Sequence, residues 1–409
     1  MKLLFIHNTL PGQFEHLMRA LARDPRNEVV GIGQEFLSPA PLFGVRVETY
    51  TRTAPVKRKA DEFLCSNEEA IGNGLAVAAK LGELKRSGFV PDIAIAHLGW
   101  GESIYFKDIY PTTPLLGYCE FYHRARAADA DFDPTFPLGL NDLFRIRTAN
   151  AAKLLGLVGM DLGVSPTAWQ KSLFPPEFQR KIAVVHEGVD ISRYRPDPQA
   201  LFRLPDGRTL SRADPVVTYA ARSLEPYRGF PQFLRAAAEL CRRRRDCQIV
   251  IAGGDGPSYG PAHDRNSLLQ ERPIDRTRVH FVGPLPPDDY VKLLQVSSVH
   301  VYLTVPFVLS WSLLEAMAVG CVVVGSDTPP VREIVRHGVN GLLADFFSVR
   351  QIVDMVERVL DHPQREWELG LRARADVVAS FDHRQAVRRY RELIAGLLSS
   401  QRRGQGVTG

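Results

Sequence analysis

No apolar run in this sequence approaches the roughly 20 residues that a helix needs to cross a bilayer, so helical membrane spans are not expected. Met1-Lys2 leads directly into the strand-like LLFIH, without the apolar core and small-residue cleavage site of a secretory signal. Cysteine is scarce: five residues, odd in number and scattered, with no CxxC pair, suggest neither a disulfide framework nor a zinc site. A reducing cytosol is the expected compartment. No repeat of solenoid length is visible. No basic stripe interleaved with aromatics argues for nucleic acid, which is not expected as a partner.

What is present describes a globular protein. The chain has 409 residues, 45% apolar and 24% charged, too long for one ordinary core, so two domains are the natural expectation. The net charge of +5 is mild, with basic clusters at Lys57-Arg58-Lys59, Arg242-Arg243-Arg244-Arg245 and Arg402-Arg403. Such runs read plainly as solvated faces. Their sharper reading is peripheral contact with anionic lipid at the inner membrane face.

Short apolar strands alternate with helix-length segments through the first half. Residues 2–7, 28–32, 93–97, 115–118, 162–164 and 182–186 read as strands, and 14–22 has helical spacing. Strands so separated imply a parallel sheet covered on both faces. Ser165 is the expected cap of a helix beginning near Thr167. Between Val189 and Pro215, prolines and charges without periodicity suggest a connector. The alternation then resumes: strands at 216–220, 248–252, 279–282 and 299–303, helices at 230–243 and 287–296, and further helices near Ile352, Trp367 and Arg384. The expected organisation is a doubly wound α/β domain over 1–190, a second over 191–380, a helix over 381–400 and a loose polar tail over 401–409. Two such domains in tandem would leave a cleft between the carboxyl edges of their sheets, where ligands bind.

The stretch Tyr302–Asp345 carries the most specific signal. It reads as strand, loop, helix, strand, loop, helix, with one acid, Glu315, set in an otherwise apolar helix. A carboxylate there can accept hydrogen bonds from two neighbouring hydroxyls, as on a ribose. Arg222-Ser-Leu-Glu-Pro-Tyr-Arg228-Gly229 follows another strand directly. Two cations six positions apart across a strand-to-helix loop can converge on adjacent phosphates, and guanidinium forks suit that geometry.

These two blocks resemble the donor-binding module of family 4 glycosyltransferases, with their R-x5-K-G and E-x7-E signatures. Arg228 stands where a lysine is commoner, and Glu315 takes the place of the second glutamate. The position of the first glutamate is Phe307, which marks a variant subgroup. The resemblance implies the α/β fold called GT-B, two Rossmann-like doubly wound domains facing across a cleft, with the last helix crossing back to the N-terminal domain. It further implies that Glu315 holds the nucleotide ribose and that Arg222 and Arg228 act as catalytic cations on the diphosphate. Gly253 and Gly254 would line the donor cleft, and Val282 and Pro284 would meet the base through backbone groups. Phe307, Val308, Leu309 and Ser310 would face the transferred sugar by packing, backbone amides or the Ser310 hydroxyl.

In the N-terminal half, Gly12 lies in the loop after the first strand and matches the family's glycine loop. His97, at a strand end, resembles the family histidine that contacts the donor sugar or stabilises charge near the leaving oxygen. Glu102, Glu120 and His123 are acceptor-side candidates. His186-Glu187-Gly188-Val189-Asp190 resembles the family's N-G-V-D turn and reads as an interdomain hinge. No Asp-x-Asp pair is singled out for a divalent ion, and neither metal nor other cofactor is expected. The resulting expectation is a metal-independent retaining glycosyltransferase that moves a hexose from a nucleotide diphosphate sugar to a hydroxyl acceptor. Polysaccharide, glycolipid or other glycoconjugate assembly is its commonest setting. A noncatalytic sugar-nucleotide binder and a sugar-nucleotide 2-epimerase remain alternatives, and Phe307 removes an acid that an epimerase would need.

Overall fold

The computed structural model describes residues 1–35, 44–51, 63–255, 259, 268–270 and 274–405. Lys57-Arg58-Lys59, Gly256 and the last four residues of the expected tail lie outside them. The chain divides into two compact units, one formed by Met1–Gly188 with the chain from His383 onward, the other by Val189–Asp382.

In the first unit, β-branched and leucine-rich runs too apolar for a half-solvated strand form a sheet buried on both faces. Its strands are β1 Lys2–Ile6, β2 Glu28–Gln34, β3 Val45–Tyr50, β4 Ile93–His97, β5 Leu115–Tyr118, β6 Leu162–Ser165 and β7 Ile182–Val184. They lie in the order β3-β2-β1-β4-β5-β6-β7, every pairing parallel. Alternation along β1 feeds two cores. Leu3 and Phe5 pack with Phe14, Met18 and, from the last helix, Val387, Tyr390 and Ile394. Leu4 and Ile6 pack with Val77, Leu81 and Leu84 of helix Cys65–Arg86. Each such fully buried side chain contributes about 2 kcal/mol of transfer free energy. The last helix, His383–Gln405, thus belongs to this unit, and Arg391 donates to the Ala20 carbonyl at 3.0 Å. It runs through Gln401–Gln405, which the sequence reading had assigned to a loose tail. The cap of helix Ala168–Ser172 is Thr167, whose hydroxyl accepts from the Gln170 amide, and not Ser165, which closes β6.

The second unit repeats the plan. Its strands are β10 Val216–Ser223, β11 Gln248–Gly254, β12 Val279–Gly283, β13 Val299–Tyr302, β14 Val322–Ser326 and β15 Leu342–Ala344. Their order is β12-β11-β10-β13-β14-β15, again all parallel. Helices Phe230–Arg243 and Pro287–Val296 have the bounds read from the sequence. The segment read as a connector and the start of a new domain holds an antiparallel hairpin, β8 Leu201–Arg203 and β9 Thr209–Ser211, whose Phe202 and Leu210 join the core beside Val216 and Val250. Of the basic run at 242–245, Arg242 binds Glu239, Arg243 binds Glu239, Asp354 and Glu357, and Arg244 binds Asp246 and Asp361. Three of its four cations are therefore engaged by carboxylates on the protein itself.

Candidate functional site

A doubly wound parallel sheet opens a crevice at its carboxyl edge where the strand order reverses, because adjacent crossovers leave toward opposite faces. In the second unit that reversal lies between β10 and β13. Arg222 lies near the end of the first of these strands and Arg228 just after it; Phe307–Ser310 and helix Trp311–Ala318 with Glu315 follow the second.

Arg228 closes a short 3-10 turn, Pro226–Arg228, which ends at Gly229 in the left-handed region, φ 66°. A Cβ there would also stand 2.5 Å from the Leu303 Cβ, so both backbone and packing select glycine. The Arg228 guanidinium reaches across to the next loop, donating to the Val308 carbonyl at 2.7 Å and to the Thr304 hydroxyl at 3.2 Å. It lies 5.6 Å from the Phe307 ring centroid and 3.8 Å from a Glu225 carboxylate oxygen. Its fork carries five N–H donors, so these contacts leave donors for an anion. Arg222 is exposed, its guanidinium 5.8 Å from the Tyr259 ring centroid.

Phe307 joins the two arginine neighbourhoods. Its ring centroid is 5.3 Å from Tyr227 and 5.0 Å from Tyr259, and it is buried. The loop beyond it is pinned by the Ser310 amide, which donates to the Tyr302 hydroxyl at 2.8 Å, while Ser310 caps helix Trp311–Ala318. Val308 and Leu309 lie between these anchors, and Val308 offers Arg228 its carbonyl.

Glu315 sits one turn inside that helix, and its carboxylate accepts from the Tyr290 hydroxyl at 3.0 Å. Burial pushes this carboxyl up, while hydrogen bonds from Tyr194 and Tyr290 and the charge of Arg193 act against the rise. A carboxylate offers about four lone-pair positions, so two phenols leave room for two further donors. Gly253, at φ +145°, has no space for a side chain, since a Cβ would lie 2.2 Å from the Ala221 carbonyl. Gly254 accepts from the Leu224 amide at 2.9 Å and ends β11; Val282 lies near the end of β12, and Pro284 follows it.

The first unit's sheet reverses between β1 and β4. There His97 is buried, 1% exposed, and its Nδ1 accepts from the Gly99 amide at 3.0 Å. Its Nε2 lies 3.4 Å from a Glu120 oxygen. Glu120 also accepts from the Gln13 side-chain amide at 2.6 Å, and Gln13 meets His7 Nε2 at 2.6 Å. Burial raises the Glu120 carboxyl, but His97, His7 and Gln13 together hold it net below the usual carboxylate range. Burial, then the neighbouring His97, push His7 down to about 3. Gly12 lies against this network, for a Cβ on it would stand 2.4 Å from the His7 ring.

Glu102, whose carboxyl feels the charge of His97, and His123 have other hydrogen-bond partners. Glu102 is buried and accepts from the Tyr50 hydroxyl at 2.9 Å, and burial pushes its carboxyl up. His123 is tied through its main chain to Asn150, and burial lowers its imidazole to about 3. Alternating Asp129, Asp131 and Asp133 do occur in a loop of this unit, a pattern the sequence reading passed over. Asp131 accepts from the amides of Ala127 and Ala128, and Asp133 from Thr135. Sequence reasoning also missed His7 and Gln13. The available signal was symmetry, since β1 runs into His7 much as β4 ends in His97. Nothing in the sequence pattern marked Tyr194 and Tyr290, which come from distant segments.

Comparison with known proteins fits this geometry. Residues 25–194 match the family model described as "Glycosyl transferase family 4 group", and residues 207–376 match "Glycosyl transferases group 1". The two matches support a GT-B glycosyltransferase of these groups. Among curated relatives, D-inositol 3-phosphate glycosyltransferase of Nocardia farcinica is 34% identical over 201 residues, 47% of this chain and 43% of that protein. Alpha-D-kanosaminyltransferase of Streptomyces kanamyceticus is 32% identical over 150 residues, 37% of each chain. The chain thus spans less than half the length of these relatives. Among solved structures, sucrose-phosphate synthase from Thermosynechococcus elongatus superposes with a TM-score of 0.73 at 17% identity, covering 98% of this chain and 100% of that one. HepE of Anabaena in complex with UDP-glucose gives 0.67 at 17% identity, over 98% and 100%. Both share the fold: two parallel-sheet, Rossmann-like units of the GT-B type.

Proposed function

We propose that this chain is a retaining glycosyltransferase that moves a hexose from a nucleotide diphosphate sugar to a hydroxyl acceptor in glycoconjugate assembly. The observation that carries the reading is the strand-order reversal of the second unit, where Arg222 stands near the end of β10, Arg228 just after it, and Glu315 on the helix after β13. Two guanidinium groups suit a diphosphate, and a carboxylate with free lone pairs suits a ribose diol. A nucleotide sugar as donor is further supported by HepE, a fold neighbour whose structures hold UDP and UDP-glucose.

In the proposed reaction the bond between the anomeric carbon and the β-phosphate oxygen breaks, and its electron pair leaves with the diphosphate. The acceptor oxygen bonds to the same face of the anomeric carbon, and its proton passes to the departing diphosphate oxygen. The arginines stabilise the charge that develops on that oxygen, a term often worth several kcal/mol when donors are already in place. The reaction so written requires no divalent ion. A second reading, nucleotide-sugar binding without transfer, draws on Phe307, a buried ring where family relatives place a glutamate. Incubation with UDP-, GDP- and ADP-glucose in EDTA, with proton NMR of the product, tests the proposal. An α-linked product from an α-linked donor is expected; a β-linked product, absolute magnesium dependence, or binding without transfer would contradict it.

A further inference from the structure

Six groups at the carboxyl edge of the first unit's sheet form one network around the Glu120 carboxylate. The Thr9 amide donates to His7 Nδ1 at 2.9 Å, which leaves the ring proton of neutral His7 on Nε2. That N–H points at the Gln13 carbonyl oxygen, 2.6 Å away, and so fixes which way the Gln13 amide faces. Its NH2 then donates to one Glu120 oxygen at 2.6 Å. From the other side the Gly99 amide occupies His97 Nδ1 at 3.0 Å, placing the proton of the neutral ring on Nε2, 3.4 Å from the second Glu120 oxygen.

Of the network's side chains, Gln13 and Glu120 are partly open. His97 is 1% exposed and His7 4%, whereas the Glu120 side chain keeps 19% of its surface open. His97 Nδ1 is taken by the Gly99 amide, and Nε2 is buried without a hydrogen bond, 3.4 Å from Glu120, so burial closes this imidazole to a ligand in this arrangement. The glycines serve the same network: a Cβ at Gly12 would stand 2.4 Å from the His7 ring, and one at Gly99 would stand 2.6 Å from His97. The Gln13 amide on one oxygen and the His97 ring beside the other restrict the carboxylate's rotation, yet leave each oxygen a lone pair. A group held so firmly, with its remaining acceptor capacity turned outward, suits recognition of uncharged hydroxyls.

We propose that Glu120, rather than His97, is the group of the first unit that touches the acceptor, by accepting a hydrogen bond from the hydroxyl of a neutral sugar or polyol. Gln13 is a positioning residue that fixes one of its oxygens, His7 fixes Gln13, and the His97 ring stands beside the other oxygen. Glu120 only orients the acceptor oxygen; the proton is lost to the departing diphosphate, as in the reaction above. The inference rests on the transferase reading, and its test separates the two.

The test uses the full chain, UDP-, GDP- and ADP-glucose as donors, and methyl α-glucoside, myo-inositol and glycerol as acceptor probes. Glu120→Gln should lower kcat/KM for the acceptor about 100-fold, by losing the charged acceptor of its hydrogen bond. Gln13→Ala should lower it about tenfold through acceptor KM, with donor KM unchanged in both. A melting temperature close to that of the parent chain guards against misfolding, and donor KM shows whether the second unit is intact. Parent-like acceptor kinetics in Glu120→Gln, or an effect falling on donor KM, would overturn the assignment while leaving the transferase reading in place. A parent chain that transfers to none of the probes would remove the transferase reading and this inference together.

Discussion

Phe307 and Glu315 show how far one side chain can alter the chemistry of a loop and helix built by the same backbone. At 307 the phenyl ring packs against Tyr227 and Tyr259, 5.3 and 5.0 Å from their centroids, and lies 5.6 Å from the Arg228 guanidinium. At 315 the acid is kept and receives a phenol from Tyr290. Histidines show the cost of burial more directly. His7 and His123 are held down to about 3, and His186 and His300 to about 4, in each case chiefly by burial. Unfolded, these rings return to the ordinary value of 6.5, so below that pH the unfolded chain binds protons that the folded chain refuses. Stability should therefore fall as pH drops from 6.5 towards 4, by up to roughly 1.4 kcal/mol per histidine per pH unit. Glu102 and Glu315, raised by burial, act in the opposite direction and offset part of the loss. Urea midpoints at pH 7.5 and pH 5.0 check this: the lower pH should give the lower midpoint, and an equal or higher one would refute it.

Strands and helices were legible where one periodicity held without competition. The apolar runs of β1, β4 and β5 and helices Phe230–Arg243 and Pro287–Val296 follow from hydrophobic pattern alone. Helix Cys65–Arg86 was not legible, because its glycines and small residues blur the apolar stripe while Val77, Leu81 and Leu84 still reach the core. The hairpin β8–β9 was hidden because each strand has three residues and buries one. The candidate donor loops were legible from residue type and spacing; the Tyr194–Tyr290–Glu315 cluster was not, since its members are brought together only by the fold. At this scale the loop after β13 depends on Ser310, whose hydroxyl caps helix Trp311–Ala318. Ser310→Ala should cost about 1 kcal/mol of stability, the usual loss for an N-cap, and weaken nucleotide binding by loosening Val308 beneath Arg228. Chemical denaturation with parallel nucleotide titration checks both effects; a variant of unchanged stability would show that the cap contributes nothing.

The whole molecule repeats one device. Each unit is a doubly wound parallel sheet, and each carries its cluster of polar side chains at the carboxyl edge where strand order reverses, between β1 and β4 in one and between β10 and β13 in the other. The first cluster is a histidine, glutamine and carboxylate network suited to hydroxyls; the second holds two guanidinium groups and the Glu315 carboxylate, suited to a diphosphate and a ribose. That division of labour is the core of the proposed function. Its most direct test is calorimetric titration of the chain and of Glu315→Gln with UDP, GDP and ADP in EDTA. Saturable binding of at least one nucleoside diphosphate by the parent chain, weakened about tenfold or more in Glu315→Gln, is the predicted result. No binding by the parent chain, or equal affinity in the variant, would contradict it.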